Sequence, residues 1–557
     1  MSTEQHDHPE RTNETPQIHV LRLSGDDYEI GHQHGTQLRE AVHRGPLPVF
    51  ATSLEHLIDG SGFGLLAKPV TRLLQASVGR RIAAGIPAFA EQTLRGLADG
   101  ARLPFRTVLH AATFPETLLW LFRHLSRVRR VPLAPRLGMP TLGCSSAAAW
   151  GAATQSGGLL HGRNFDYMGV GSWDLEQAVF FIDPASGQPY ASIAAAGIPL
   201  GGVTSMNQAG LTLAVHQHFS CTDTALGGTP TGIVGDQVMR YAANLDDARR
   251  ILDDHTPIGC FSYLIGSGPE RALLCYEVTP ARRAAWIVED DTFAYTNAYL
   301  DRELAAREVY VYPSHWRGTA KRYHHLQALL KAHHGSIEAD TVASLLGDRV
   351  DPRCRISWAV GALHTVTSVV FAPEEGLFYV GLGPSPTSNQ PYLAFDMARR
   401  DRRTDLPNLE GGVPSDADER AGVQAYRDAF VAWNRHNGKA AAREAIERAC
   451  TLQPHEPLYQ FIAGLVALDA DDPAAAVRSL DRALDLGHPD AERVAAFHLW
   501  RARAKDRLGL RSGAREDYRL AIEGDQVVAR AARRGVKRRW RAKGVSVDFV
   551  YADVMFP

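Results

Sequence analysis

Apolar residues recur at three- and four-residue spacing over 50–58, 65–78, 82–97 and 108–125, the period of helices that bury one face. The chain therefore predicts a helical first segment. Residues 127–140 break the pattern with three prolines and clustered arginines and read as an exposed connection. From Cys144 onward the texture changes to short apolar runs at 145–152, 159–164, 179–182, 191–196, 211–216, 262–265 and 272–278. These predict strands, and Gln155-Ser156-Gly157-Gly158 between the first two predicts a hairpin. Helical periods at 235–252 and 319–332 interrupt the strands, and a last hairpin is predicted from 368–371 and 377–380 around Pro373-Glu374-Glu375-Gly376. Two groups of strands with helices between them predict a layered α+β domain.

Residues 401–418 are polar, contain Pro and Gly, and read as a linker. Beyond them a small-residue pattern repeats. Ala442, Ile446 and Ala449 recur as Ala476, Leu480 and Ala483 after 34 residues, and as Ala514, Tyr518 and Ala521 after a further 38. The first offset is that of tetratricopeptide repeats, whose paired helices pack through small residues; a plain helical bundle with alanine-rich contacts is the alternative. Eight Lys/Arg over 530–543 read as a solvated capping helix, with a basic patch for an acidic partner as the second reading.

Composition narrows the class. The 557 residues call for more than one domain, and 45% hydrophobic with 22% charged content suffices for a large core. A net charge of −2 creates no global field for nucleic acid or an anionic membrane. The six cysteines are scattered without a C-x-x-C pair, which argues against a disulfide framework or zinc ribbon, and Cys275, in an apolar run, is expected to be buried. Residues 1–17 are polar without a signal-type apolar core, and nowhere do about 18 apolar residues run together to span a bilayer. A cytoplasmic protein without a membrane span is expected.

The candidate chemistry centres on Thr141-Leu142-Gly143-Cys144-Ser145-Ser146. A cysteine after glycine at the head of a strand can attack the Gly143 carbonyl and cut its own chain. Cys144 would then own both a nucleophilic sulfur and an α-amine with a pKa of about 7.7–8.0, suited to general-base work. Gly143, without a Cβ, allows the close approach. One hairpin later come Arg163, whose charge favours thiolate, and Asp166, which can orient the new terminus. Three residues apart, they fall on opposite faces of an ideal strand, so a bulge or turn near Phe165 is expected to bring both to the site. His216-Gln217-His218 puts two imidazoles on one strand face, which is weak as a metal site without a third ligand.

Several stretches in order resemble one family: Tyr28-Glu29-Ile30-Gly31-His32-Gln33-His34-Gly35, then Gly143-Cys144, then His161-Gly162-Arg163-Asn164-Phe165-Asp166. Met206-Asn207-Gln208-Ala209-Gly210, Tyr295-Thr296-Asn297, Lys321-Arg322-Tyr323 and His364-Thr365-Val366-Thr367 continue the series. Over roughly residues 20–400 the chain resembles the N-terminal-nucleophile hydrolases, and within them the acyl-coenzyme A:6-aminopenicillanic acid acyltransferase family, relatives of the choloylglycine hydrolases. The resemblance implies a four-layer αββα sandwich, oxyanion asparagines at Asn207 and Asn297, and a further site arginine at Arg322, for which Arg317 is the alternative. The resulting expectation is a helical pro-segment over 1–143, a catalytic domain over 144–400, a linker over 401–420 and a tetratricopeptide-like domain over 421–557. Its activity would be that of a self-cleaving cysteine hydrolase or acyltransferase. It would act through acyl-Cys144 on an acyl amide or thioester, acyl-coenzyme A being one candidate, without cofactor or metal. Two rivals stay open: a papain-like cysteine protease that does not cut itself, and an inactive scaffold that binds a protein partner through its helical repeats. The six candidate site residues, Cys144, Arg163, Asp166, Asn207, Asn297 and Arg322, all precede Arg400, so a chain ending there is expected to keep its chemistry.

Overall fold

A computed structural model of the chain describes residues 17–59, 64–127, 143–198, 201–218, 223–308, 313–351, 354–434, 438–542, 544–545 and 547–550. The expected proline-rich connection falls almost wholly outside them. In chain order the described strands are β1 (Gln17–Gly25), β2 (Gly143–Ala149), β3 (Leu160–Asp166), β4 (Glu176–Pro184), β5 (Tyr190–Ala195), β6 (Thr204–Asn207) and β7 (Leu211–Gln217). They continue with β8 (Phe261–Ser267), β9 (Ala272–Thr279), β10 (Arg282–Ile287), β11 (Thr292–Tyr295), β12 (Arg349–Asp351) and β13 (Cys354–Ala359). The last are β14 (Thr365–Ala372), β15 (Leu377–Gly381), β16 (Tyr392–Asp396) and β17 (Asp401–Arg402).

Two large sheets result. One runs β1-β4-β5-β6-β7-β8-β9-β10 and the other β11-β2-β3-β14-β15-β16-β17, while β12 and β13 pair separately. All pairings in the large sheets are antiparallel except β1 with β4, so the α+β class follows. Strand alternation sorts the core. Val179, Phe181, Ile193 and Met206 of the first sheet meet Val369, Phe371, Phe378 and Phe395 of the second. The opposite face of the first sheet, with Leu21, Leu23, Phe180 and Ile182, packs on helical residues such as Leu54, Leu97 and Val238. The opposite face of the second, with Ala147, Leu160 and Val370, packs on Leu326, Leu330, Val342 and Leu346.

The first segment is not purely helical. β1 joins the edge of the eight-stranded sheet in parallel register with β4, Leu21 beside Phe180 and Leu23 beside Ile182. Its apolar residues alternate over too few positions to stand out against the helices that follow. The Tyr28–Gly35 motif has a packing reason: it lies in the helix Asp27–Gln37, which crosses Ala88–Ala101 so closely that a Cβ on Gly31 would sit 2.0 Å from the Thr93 carbonyl oxygen. The single helix expected over 235–252 is two, Thr231–Tyr241 and Leu245–Asp253. Asn244 starts the second by accepting a hydrogen bond from the Asp247 amide at 2.8 Å.

The C-terminal region is all helical: Ala417–Trp433, Lys439–Leu452, Pro457–Asp469, Pro473–Leu486, Ala491–Leu508, Arg511–Gly524 and Gln526–Lys537. The nine repeat positions from Ala442 to Ala521 fall three each on Lys439–Leu452, Pro473–Leu486 and Arg511–Gly524, all buried. This helical array is docked on the α+β part. Arg427 donates to Asp174 Oδ2 from Nε at 3.1 Å and Nη2 at 2.7 Å, and the same oxygen accepts from the Ser385 amide at 2.8 Å.

Candidate active site

Gly143 and Cys144 open β2, where hairpin register sets Gly143 opposite Asp166, Cys144 opposite Phe165 and Ser146 opposite Arg163. Alternation then sends Cys144, Ser146 and Arg163 toward the eight-stranded sheet. There Ser146 Oγ lies 2.9 Å from His216 Nε2, and Arg163 Nη2 donates to the Val215 carbonyl at 2.5 Å and to Cys144 Sγ at 3.6 Å. Ser145 and Asp166 point the other way, toward the helix Pro313–Ala332, from which Arg322 reaches in. The expected bulge in β3 is not needed. The site straddles the sheet at the strand ends, with Arg163 on the sulfur from one side and Asp166 on the other. The one register shift nearby is in β14, at Val366 between Thr365 opposite Asp166 and Thr367 opposite Phe165. Thr365 Oγ1 donates to Asp166 Oδ1 at 2.6 Å.

Arg322 and Asn297 bracket the backbone of Cys144. Arg322 Nη1 donates to the Cys144 carbonyl at 2.7 Å and to Ser145 Oγ at 2.7 Å, Nη2 donates to Asn297 Oδ1 at 3.1 Å, and the guanidinium lies 3.7 Å from Asp166. The Cys144 amide donates to Asn297 Oδ1 at 2.7 Å, while Asn297 Nδ2 donates to the Gln217 carbonyl at 2.9 Å. Asn297 Oδ1 is thus an acceptor for the amide nitrogen of the Gly143–Cys144 bond. A Cβ on Gly143 would meet Asp166 Oδ2 at 3.2 Å and Arg322 Nη2 at 3.3 Å, so any other residue would press on both side chains. The Arg317 side chain is outside the described residues.

Asn207 stands apart. It ends β6, accepts from the Leu211 amide at 2.9 Å and donates through Nδ2 to the carbonyls of Met239 and Ala242 at 3.2 and 2.9 Å. Its amide hydrogens are given to the carbonyls at the end of the helix Thr231–Tyr241. His216 and His218 pair with Ser146 and Ser262 Oγ, the latter at 2.7 Å, and no metal-binding cluster occurs among the described residues. His364 is buried beside Asp166, and its carbonyl accepts from the Tyr167 amide at 2.9 Å. Cys275 is buried in the core, as its apolar run predicts.

Burial pushes the Cys144 thiol above its ordinary range; Arg163 pulls in the other direction, through its charge and its hydrogen bond. Beside the sulfur lies a cavity of about 120 Å³, walled mainly by apolar side chains, among them Phe50, Phe165, Tyr167, Trp173, Ile193, Val203 and Phe261. Two polar residues in its wall escaped the sequence reading. Gln217 Nε2 is buried without a hydrogen-bond partner, and Glu116 is buried with Oε2 unpartnered. Gln217 was visible only as the middle of a histidine pair, and Glu116 only as an acidic residue in the first turn of Phe114–Arg127.

Residues 153–385 match the family model of acyl-coenzyme A:6-aminopenicillanic acid acyl-transferase, an N-terminal-nucleophile-hydrolase-like family. The match covers Arg163, Asp166, Asn207, Asn297 and Arg322 and begins after Cys144. An uncharacterized protein of Archaeoglobus fulgidus is 23% identical over 363 residues, which cover 59% of this chain and 57% of the relative. Protein dcd1B of Dictyostelium discoideum is 25% identical over 290 residues, 48% of this chain and 51% of its own length. The chain spans about half the length of these curated relatives.

Proposed function

We propose that this chain is a self-cleaving N-terminal cysteine hydrolase or acyltransferase, built on a four-layer αββα sandwich with a tetratricopeptide-like domain behind it. The observation that carries the reading is the convergence on Cys144: Arg163 on its sulfur, Arg322 on its carbonyl and Asn297 on its amide, with Cys144 and Asn297 lining one apolar cavity.

Maturation begins when Cys144 Sγ gives up its proton and attacks the Gly143 carbonyl carbon. The Gly143–Cys144 C–N bond breaks, the departing nitrogen takes a proton, and a thioester joins Gly143 to Sγ. Water hydrolyses it, leaving a Gly143 carboxylate and a free Cys144 α-amine. In turnover that amine takes the Sγ proton, the thiolate attacks an acyl carbonyl, and the leaving amine or thiol departs with the proton from the α-ammonium. Asn297 Oδ1 and the Arg322–Asp166 pair hold the new terminus, and Arg163 favours the thiolate. We assign the unpartnered Gln217 Nε2 to the oxyanion. Acyl-Cys144 then passes to water or to an amine, with no cofactor in the cycle. The acyl donor is an amide or a thioester such as an acyl-coenzyme A.

A papain-like reading needs an imidazole on the sulfur, whereas among the described residues the sulfur meets the Arg163 guanidinium, the Val215 carbonyl and the Asp166 backbone. Intact mass spectrometry tests the proposal. Purified protein should yield two polypeptides divided at Gly143–Cys144, and acyl donors should add one acyl mass to the fragment beginning at Cys144. A single full-length mass in an active preparation, or turnover that survives Cys144→Ala, would falsify it.

A further inference from the structure

A carboxyl group stands in the almost wholly apolar wall of the cavity beside Cys144. Glu116 comes from the helix Phe114–Arg127, upstream of the Gly143–Cys144 bond, and is buried. Its Oε1 accepts from the Thr231 amide at 3.0 Å, in the first turn of Thr231–Tyr241, and Thr231 Oγ1 lies 2.7 Å from the Tyr263 hydroxyl. Glu116 Oε2 has no partner, and neither has the hydroxyl of Tyr167, a second buried residue of the same wall. The Tyr167 ring is fixed by stacking on Phe165 at 4.8 Å and by an edge contact with Phe50 at 5.4 Å. A buried polar atom without a partner is costly, and a ligand that supplies one offsets that cost. Burial pushes the Glu116 pKa up to about 7, so acid and carboxylate are both present near neutral pH, and a donor on the ligand favours the carboxylate, whose Oε2 accepts.

We propose that Glu116 and Tyr167 select the acyl group: the cavity takes an apolar acyl group that carries an O–H or N–H donor, in preference to its plain hydrocarbon counterpart. The identification of the ligand as an acyl group rests on the acyl-enzyme reading above; recognition by Glu116 and Tyr167 does not. Because Glu116 precedes the cleavage point, the first segment remains part of the binding site after the chain is cut.

Calorimetric titration of the full-length chain with 2-phenylethanol, 2-phenylethylamine and n-propylbenzene tests this, since none of the three has a bond for Cys144 to break. The alcohol, the amine or both should bind at least about tenfold more tightly than the hydrocarbon, and Glu116→Leu should remove most of that gap. Glu116→Gln separates the two donors: it should keep a preference for the alcohol and lose one for the amine. If Glu116→Leu does not fold, Tyr167→Phe removes the second unpartnered group and should narrow the gap. Equal affinity for all three ligands, no binding of any, or a gap that survives both substitutions overturns the proposal. A failure of every acyl donor to modify Cys144 would instead sink the proposed function and leave the binding result standing.

Discussion

At Cys144 burial and charge oppose each other. Desolvation raises the thiol pKa and Arg163 lowers it, so removing the guanidinium leaves burial without its counterweight. Arg163→Leu should slow alkylation of Cys144 by iodoacetamide at neutral pH, by about tenfold for each unit by which the thiol pKa rises. An unchanged rate in folded protein would mean that Arg163 serves only the Val203 and Val215 carbonyls it also contacts. Gln217→Leu should cut turnover by about 10²–10³ while the protein still cleaves a share of its chains, if its free Nε2 meets the oxyanion. Asn207→Ala should behave in the opposite way. It strands two carbonyls at the end of a buried helix and lowers stability by about 1–3 kcal/mol, and the folded fraction should acylate at the parent rate. A large rate loss with an unchanged melting temperature would return Asn207 to the chemistry. The contrast shows what the sequence carries at this scale. Cys144, Arg163, Asp166, Asn297 and Arg322 stand in recognisable strings, whereas Gln217 and Glu116 have no local signature, because their role comes from which atoms the tertiary fold leaves unpartnered.

At the scale of elements, period and punctuation expose most of the interior: the β2–β3 hairpin, the β14–β15 hairpin and the helix pairs with their small-residue repeats all follow from spacing. Pairing partners are another matter. Nothing near residues 17–25 shows that β1 lies beside β4, since parallel neighbours are joined through distant chain. The linker is a similar case. Polar composition suggests free chain from 401, yet β17 pairs with β16, Leu409 exchanges backbone hydrogen bonds of 2.9 and 3.0 Å with Tyr392, and the Gly411 amide donates to Asp340 at 2.9 Å. The helical array adds Arg427 on buried Asp174, one residue from the cavity-lining Trp173. Truncation should therefore be graded. A chain ending at Val413 should melt below the full chain, because Asp174 loses its guanidinium, and a chain ending at Arg400 should melt lower still. Equal melting temperatures for all three would show that neither the docked linker nor the ion pair supports the α+β part.

Over the whole molecule, the layers that bury the site also bury its histidines. His34 and His161 are held down to about 3 and His364 to about 4, and His216 lies well below its ordinary value, in each case chiefly by desolvation. Unfolded, each would titrate near 6.5, so between that value and the depressed one the unfolded chain binds protons that the folded chain refuses. The stability from burying these rings neutral is complete above about 6.5 and is lost as the pH falls toward the folded values, each ring contributing up to about 1.4 kcal/mol per pH unit. Glu116 acts in the reverse direction: raised to about 7 from an unfolded value of 4.5, it favours the folded state at low pH and withdraws that support as the pH rises through 7. Among the described residues seven histidines are held down, these four with His110, His255 and His488, against three carboxyls pushed up, Glu116, Asp236 and Glu277, so the slope between pH 6.5 and 4 should follow the histidines. Thermal melts across that range should show a steep fall in melting temperature on acidification, and titration calorimetry should find net proton uptake on unfolding near pH 5. If the chain is cut as proposed, the fall should be the same before and after the cut, because β1 and the first helices are paired and packed with residues on the far side of Cys144. A flat profile, or proton release on unfolding, would show that the rings are solvated or already charged in the folded protein.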